Sequence, residues 1–173
     1  TALENWFNND RKGIFEHATG SGKTLTGLFA IRDALNRGDT PVVLVPSALL
    51  LRQWEEQIKI TLGDLNPSVL SCGDENDKWR KKKLLGIWSR PSDKNLIILA
   101  MLPTASTETF IKMIRDGGHL FILADEVHRI GSYQNRKIMN LKSGARLGLS
   151  ATPRRAGDPE GTQLIFDYFG GVL

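Results

Sequence analysis

The chain is predicted to fold as an α/β protein: a mostly parallel sheet, doubly wound, with helices on both faces in a three-layer sandwich. Three observations carry that prediction. Short apolar runs, often β-branched, recur along the sequence and suit strands covered on both faces. Segments with apolar residues three and four apart lie between them, and strands separated by helices of that length form parallel sheets with right-handed crossovers. A glycine-rich turn, residues 18–24, sits between the first of those runs and the first helical segment.

The elements follow in order. Ala2, Leu3, Trp6 and Phe7 have helical spacing, and Ile14-Phe15 marks the first strand. Leu25, Leu28, Phe29, Arg32 and Leu35 then define a helix, Val42 to Val45 a strand, and Leu50, Leu51, Trp54 and Ile58 another helix. Val69-Leu70, Leu96 to Leu99, Leu120 to Leu123 and Leu147 to Leu149 supply further strands, with a helix at Phe110, Ile111 and Ile114. The stretch from Gly73 to Asn95 is the least regular. It holds Trp79, Trp88 and the basic run Lys78-Trp79-Arg80-Lys81-Lys82-Lys83. Such a run with an aromatic can grip a nucleic-acid backbone. More commonly it is the solvated face of a helix packed by Trp79, Leu84 and Trp88. Trp54, Trp79 and Trp88 are each expected to pack rather than to stack on bases.

Composition sets the class. The 173 residues suffice for one domain, 40% of them are hydrophobic, and no apolar stretch approaches the roughly 20 residues of a membrane span. Glu4, Asn8, Asn9 and Asp10 interrupt the only apolar candidates for a signal peptide. The single cysteine, Cys72, excludes an internal disulfide and fits a reducing compartment, so a cytoplasmic or nuclear location is expected. One Cys and three scattered His build no metal cluster. A net charge of +4 permits a nucleic-acid partner without demanding one.

The turn Ala18-Thr19-Gly20-Ser21-Gly22-Lys23-Thr24 is a phosphate cradle in its sequence context. Its glycines let backbone N–H groups converge on phosphate oxygens, and the helix that follows adds its partial positive charge. Lys23 is placed to reach the β- and γ-phosphates, and the Thr24 hydroxyl to hold Mg²⁺. His17 stands where the general pattern has a small residue; the core from Gly20 to Thr24 is intact.

Hydrolysis needs carboxylates at the end of another strand. Leu120 to Ala124 delivers Asp125-Glu126-Val127-His128. Asp125 is placed to hold Mg²⁺, and Glu126 to orient and deprotonate the attacking water. Neighbouring residues on a strand point oppositely, so the two carboxylates converge only if the strand ends there in a turn. The bland alternative makes Asp125 a helix cap and Glu126 a solvated residue. A third segment, Arg146 to Arg155, is a strand ending in Ser150, Thr152 and Pro153. Those hydroxyls are expected to bond the carboxylates of the preceding strand, the alternative being a simple turn closed by Pro153.

Ala-Thr-Gly-Ser-Gly-Lys-Thr, Asp-Glu-Val-His and Ser-Ala-Thr-Pro, in this order and spacing, resemble motifs I, II and III of the first RecA-like lobe of a superfamily 2 helicase or translocase, a P-loop NTPase. The resemblance covers nearly the whole chain. Pro46 to Gln53 resembles motif Ia, and Leu102-Pro103-Thr104 falls where motif Ib or Ic lies. The DExH form and Arg146 to Pro153 resemble XPB-type and restriction-type DNA translocases. DEAD-box RNA helicases carry an Asp where His128 stands and an Arg where this chain has Ala48, which favours DNA over RNA.

The resemblance implies ATP and Mg²⁺ on Thr19, Gly20, Ser21, Gly22, Lys23 and Thr24, with Asp125 on the metal and Glu126 as base. It implies that His128, Ser150 and Thr152 couple hydrolysis to lobe closure. It also implies that Ser47, Gln53 and Thr104 track one strand's phosphates, contacts that carry no base preference. Residues 1–173 read as one N-terminal motor lobe of a longer protein. A second RecA-like lobe with an arginine finger is expected after Leu173, and an adenine-reading Gln motif before Thr1. Because a finger is worth ~10³–10⁵ in turnover, residues 1–173 alone are expected to bind Mg-ATP weakly and hydrolyse it poorly. A nucleotide-gated clamp without unwinding is the second reading, and a metabolic P-loop kinase the third. Ser150-Ala151-Thr152 and the segment from Pro46 to Gln53 argue against the third.

Overall fold

The computed structural model describes residues 1–18, 20, 22–73 and 75–173. Thr19 and Ser21, expected in the phosphate cradle, lie outside the described residues. Among the described residues, six parallel strands form one sheet: β1 (Lys12–Glu16), β2 (Thr40–Val45), β3 (Ser68–Cys72), β4 (Leu96–Met101), β5 (Gly117–Asp125) and β6 (Ser143–Ser150). Their order across the sheet is β1-β6-β5-β2-β4-β3. The predicted strands are all present, and the sheet is parallel throughout.

Alternation along each strand divides the core in two, as the period of two requires. Val43, Val45, Ile97, Leu99, Phe121, Leu123, Leu147 and Leu149 face one side. There they meet Trp6 of α1 (Ala2–Asn8), Leu28 and Ile31 of α2 (Lys23–Asn36), and Leu51, Trp54 and Ile58 of α3 (Ala48–Leu62). Val42, Leu44, Ile98, Ala100, Ile122 and Ala124 face the other side. That side is covered by α4 (Lys78–Lys81), α5 (Leu84–Trp88), α6 (Leu102–Ala105), α7 (Glu108–Met113) and α8 (Pro159–Phe169), through Trp79, Leu85, Leu102, Phe110, Ile165 and Phe169. Strands buried on both faces carry near-continuous apolar runs for this reason.

Three local details differ from, or add to, the sequence reading. Thr1 is the N-cap of α1, in a capping box with Glu4. The basic run from Lys78 is not one helix: Lys83 adopts a left-handed conformation (φ 53°) that separates α4 from α5. Trp79 is buried against Phe110, while Arg80 to Lys83 remain exposed. Helix α8, absent from the sequence reading, is capped by Asp158 and held to β6 by Arg146. That guanidinium stacks 3.8 Å from the Tyr168 ring centroid and donates to the Tyr168 carbonyl. No helix among the described residues is long and apolar enough to cross a membrane.

Candidate nucleotide site

Every predicted motif lies at the C-terminal edge of the sheet, where open parallel sheets bind their ligands. Strands β1 and β5 flank β6, so the cradle after β1 and the carboxylates ending β5 stand on either side of Ser150. Glu16 is in register with Ser150, and Asp125 with Leu149. The His17 N–H donates to the Ser150 carbonyl and carries the β1–β6 pairing one residue further into the cradle.

The described cradle residues leave room for a ligand. Gly20 (φ 81°) and Gly22 (φ 86°) are left-handed, and a Cβ on either would meet no described atom within 4 Å. Gly22 is the N-cap of α2, and no described side chain caps that helix. Its first N–H groups and its positive end therefore face the space above the sheet. Lys23 reaches across: its Nζ lies 3.4 Å from Glu126 Oε1, 103 residues away in sequence. A cationic side chain, uncapped N–H groups and room above the glycines fit a nucleoside polyphosphate; Thr24 and Asp125 fit the hard oxygen donors of its Mg²⁺.

The turn anticipated after Asp125 is present. Glu126 adopts φ 50° and ψ 53°, a left-handed conformation that costs a non-glycine residue roughly 1–2 kcal/mol. It ends β5 and swings Glu126 toward Lys23. Strain of this kind makes Glu126 a candidate functional position. Asp125 is not a helix cap: its Oδ1 accepts the Glu126 N–H at 3.0 Å. Its Oδ2 accepts the Trp54 indole N–H, also at 3.0 Å. Burial raises the Asp125 pKa above the ordinary carboxylate value, and the Trp54 hydrogen bond opposes that rise.

Behind the turn, η2 (Val127–Gly131, a 3₁₀ helix) carries His128. Its Nδ1 sits 3.0 Å from Ser150 Oγ and 3.5 Å from Glu126 Oε2. Ser150 Oγ also accepts the Thr152 N–H at 3.1 Å. The hydroxyl of Ser150 thus turns to the imidazole, not to the carboxylates the sequence suggested. Burial lowers the His128 pKa, with the Glu126 charge pulling the other way. Gly148 is required here: a Cβ on it would stand 2.9 Å from Val127 Cγ2 and 3.1 Å from Ile14 Cγ1.

Two participants were missed in the sequence. Trp54, read as a packing residue, is fully buried but spends its N–H on Asp125. Arg155 donates to the His128 carbonyl at 2.6 Å and to Asp158 Oδ2 at 2.7 Å, tying η2 to the start of α8. Only its position just beyond Thr152-Pro153 hinted at a role. The expected nucleic-acid residues are not gathered in one place. Ser47 caps α3, accepting the Leu50 N–H. Gln53 lines a cleft of about 480 Å³ with Gly22 and Thr24, closer to the cradle than expected. Thr104 lines a separate pocket of about 340 Å³ with Gly73 and Arg80.

Known proteins share this architecture. The chain is 31% identical over 156 residues, 89% of its length, to a putative DNA 3'-5' helicase Rad25 of Halobacterium salinarum, and spans only 23% of that relative. The Hef helicase domain of Pyrococcus furiosus superposes with a TM-score of 0.71 at 20% identity, over 98% of this chain and 36% of that one. The Sulfolobus solfataricus SWI2/SNF2 ATPase core, solved in complex with double-stranded DNA, superposes with a TM-score of 0.63 at 24% identity, over 92% and 32%. The family of type III restriction enzyme res subunits matches residues 1–155. With that match spanning most of the chain, and the RecA-like sheet placing motifs I, II and III around one cradle, the chain belongs to the type III restriction enzyme res subunit family and is a superfamily 2 helicase N-terminal lobe.

Proposed function

We propose that this lobe binds and hydrolyses ATP to drive movement on DNA, as the first half of a two-lobed motor. The observation that carries the reading is Lys23 Nζ at 3.4 Å from Glu126 Oε1, with His128 and Ser150 completing the cluster. Lys23 and the α2 N–H groups hold the β- and γ-phosphates. Thr24 and Asp125 would hold Mg²⁺, which when bound would supply charge neutralisation for the phosphates. Glu126 accepts the proton of the attacking water and delivers it to bulk solvent, to which its side chain is 32% exposed. Burial lowers the His128 pKa and so favours its neutral form. Through its hydrogen bond with Ser150, His128 reports the state of Glu126 to the strand end at Thr152.

DNA as the track is supported by the likeness to Rad25-type helicases and to a double-stranded-DNA-bound SWI2/SNF2 core. Ser47, Gln53 and Thr104 are proposed to follow phosphates, giving motion with little base preference. A second RecA-like lobe is proposed to close on the site with an arginine finger.

The test is steady-state ATPase of the protein carrying this lobe, with no nucleic acid, duplex DNA, single-stranded DNA and RNA, and Glu126→Gln as blank. Stimulation by DNA is expected. Glu126→Gln should retain ATP and stall hydrolysis, and Lys23→Ala should abolish nucleotide binding. Rates indifferent to every polymer would sink the motor reading.

A further inference from the structure

Trp54 sits on α3, seven residues after the Ser47 cap, or about 10 Å along the axis. Its indole is 1% exposed. A buried indole N–H requires an acceptor, and packing alone would be served by any nearby backbone carbonyl. Here the acceptor is the Asp125 carboxylate, at 3.0 Å. With the Glu126 N–H on the other oxygen, both oxygens of Asp125 are pinned by donors and its rotamer is set from two sides. The far edge of the same ring is wedged under the cradle helix. A Cβ on Gly27 of α2 would stand 2.9 Å from Trp54 Cη2, so the ring fits only because residue 27 has no side chain.

One rigid side chain therefore touches the helix that bears the cradle and the carboxylate placed for the metal. It is carried by the helix whose first turn holds Ser47. We propose that Trp54 is a positioning residue: it holds Asp125 for Mg²⁺, and displacement of α3 when nucleic acid occupies its N-terminal turns changes that hold. The second half of this statement rests on the motor reading above; the first half does not. The indole passes no proton to the reaction. It fixes where a carboxylate oxygen points, and loss of such an outer hydrogen bond typically weakens a metal site 10–100-fold.

The experiment follows the four indole N–H resonances of the ¹⁵N-labelled chain. The Trp54 resonance, assigned by its loss in Trp54→Phe and by through-bond correlation, is expected to shift in unliganded Asp125→Asn. It should shift again when Mg²⁺ is added to the AMP-PNP-bound chain, and when a mixed-sequence duplex is added alone. In Trp54→Phe, half-maximal Mg²⁺ for binding a fluorescent ATP analogue should rise about 10–100-fold, with affinity in EDTA unchanged. A merely structural tryptophan would lower both affinities together or neither. A Trp54 resonance blind to Asp125→Asn, with Mg²⁺ dependence within twofold of wild type, overturns the proposal. If Trp54→Phe does not fold, the wild-type resonance and Asp125→Asn still decide. A chain that ignores the duplex while the Asp125→Asn and Mg²⁺ responses persist refutes the coupling to nucleic acid and leaves the positioning role standing.

Discussion

Gly131→Ala tests the packing that holds η2, and with it His128, against α8. The substituted Cβ would lie 2.7 Å from the Gly161 carbonyl oxygen, 2.7 Å from Arg155 Cδ and 2.9 Å from Ile165 Cδ1. Two of those neighbours are side chains that can give way; the carbonyl belongs to the first turn of α8 and cannot. The approach is reciprocal, since a Cβ on Gly161 would stand 2.8 Å from the Gly131 carbonyl oxygen. Overpacking of a tight core contact costs about 1–3 kcal/mol, and a backbone obstacle places this case in the upper half of that range. Restricting the unfolded chain returns about 0.4–1 kcal/mol. The net loss is about 2 kcal/mol, or a Tm lower by about 4–8 °C for a domain of this size. Thermal unfolding followed by circular dichroism measures it. Gly63→Ala is the control: Gly63 is right-handed (φ −58°, ψ −28°), a Cβ there meets nothing within 4 Å, and Tm should hold or rise slightly. A Gly131→Ala protein melting with or above wild type would show that η2 and α8 do not approach as described.

Burial pushes the Cys72 thiol up to about 12, so at pH 8 iodoacetamide should label it only through unfolding. Mass spectrometry showing rapid labelling of the folded chain would contradict this. Asp158 is held below the usual carboxylate range by its hydrogen bond from Arg155 and by the Gly161 N–H. Its folded pKa is depressed, so its contribution is present above the unfolded carboxylate pKa and is lost as pH falls through the lower folded value. Urea midpoints measured from pH 7 to pH 3 should fall less steeply for Asp158→Asn than for wild type; parallel curves would remove that assignment. Trp6→Ala deletes a fully buried ring that packs on Phe121 and donates its N–H to the Arg146 carbonyl. A loss of about 3–5 kcal/mol is expected in denaturant unfolding, and a loss under 1 kcal/mol would mean α1 is not docked there.

Strands and the cradle were legible because each is written locally. Val42 to Val45 and Leu120 to Leu123 carry their burial in consecutive residues, and Gly20 and Gly22 signal their left-handed turns by being glycine. Asp125 and Glu126 were legible as a pair, and the turn they need followed from the period of two along a strand. What decided the rest acts between residues far apart in the chain. The Trp54 N–H finds Asp125 across 71 positions, and the Arg155 guanidinium finds the His128 carbonyl across 27. An indole or a guanidinium announces only that it needs an acceptor, and the sheet order β1-β6-β5-β2 chooses which one. The same holds for Ser150, whose partner became His128 because η2 folds over β6 at Gly148. The amino-acid sequence by itself determined the class of fold and placed the glycines and carboxylates of the candidate site in order along the chain. Tertiary structure alone decided how the Asp125 carboxylate is held, since hydrogen-bond partners are assigned by three-dimensional proximity and not by residue type.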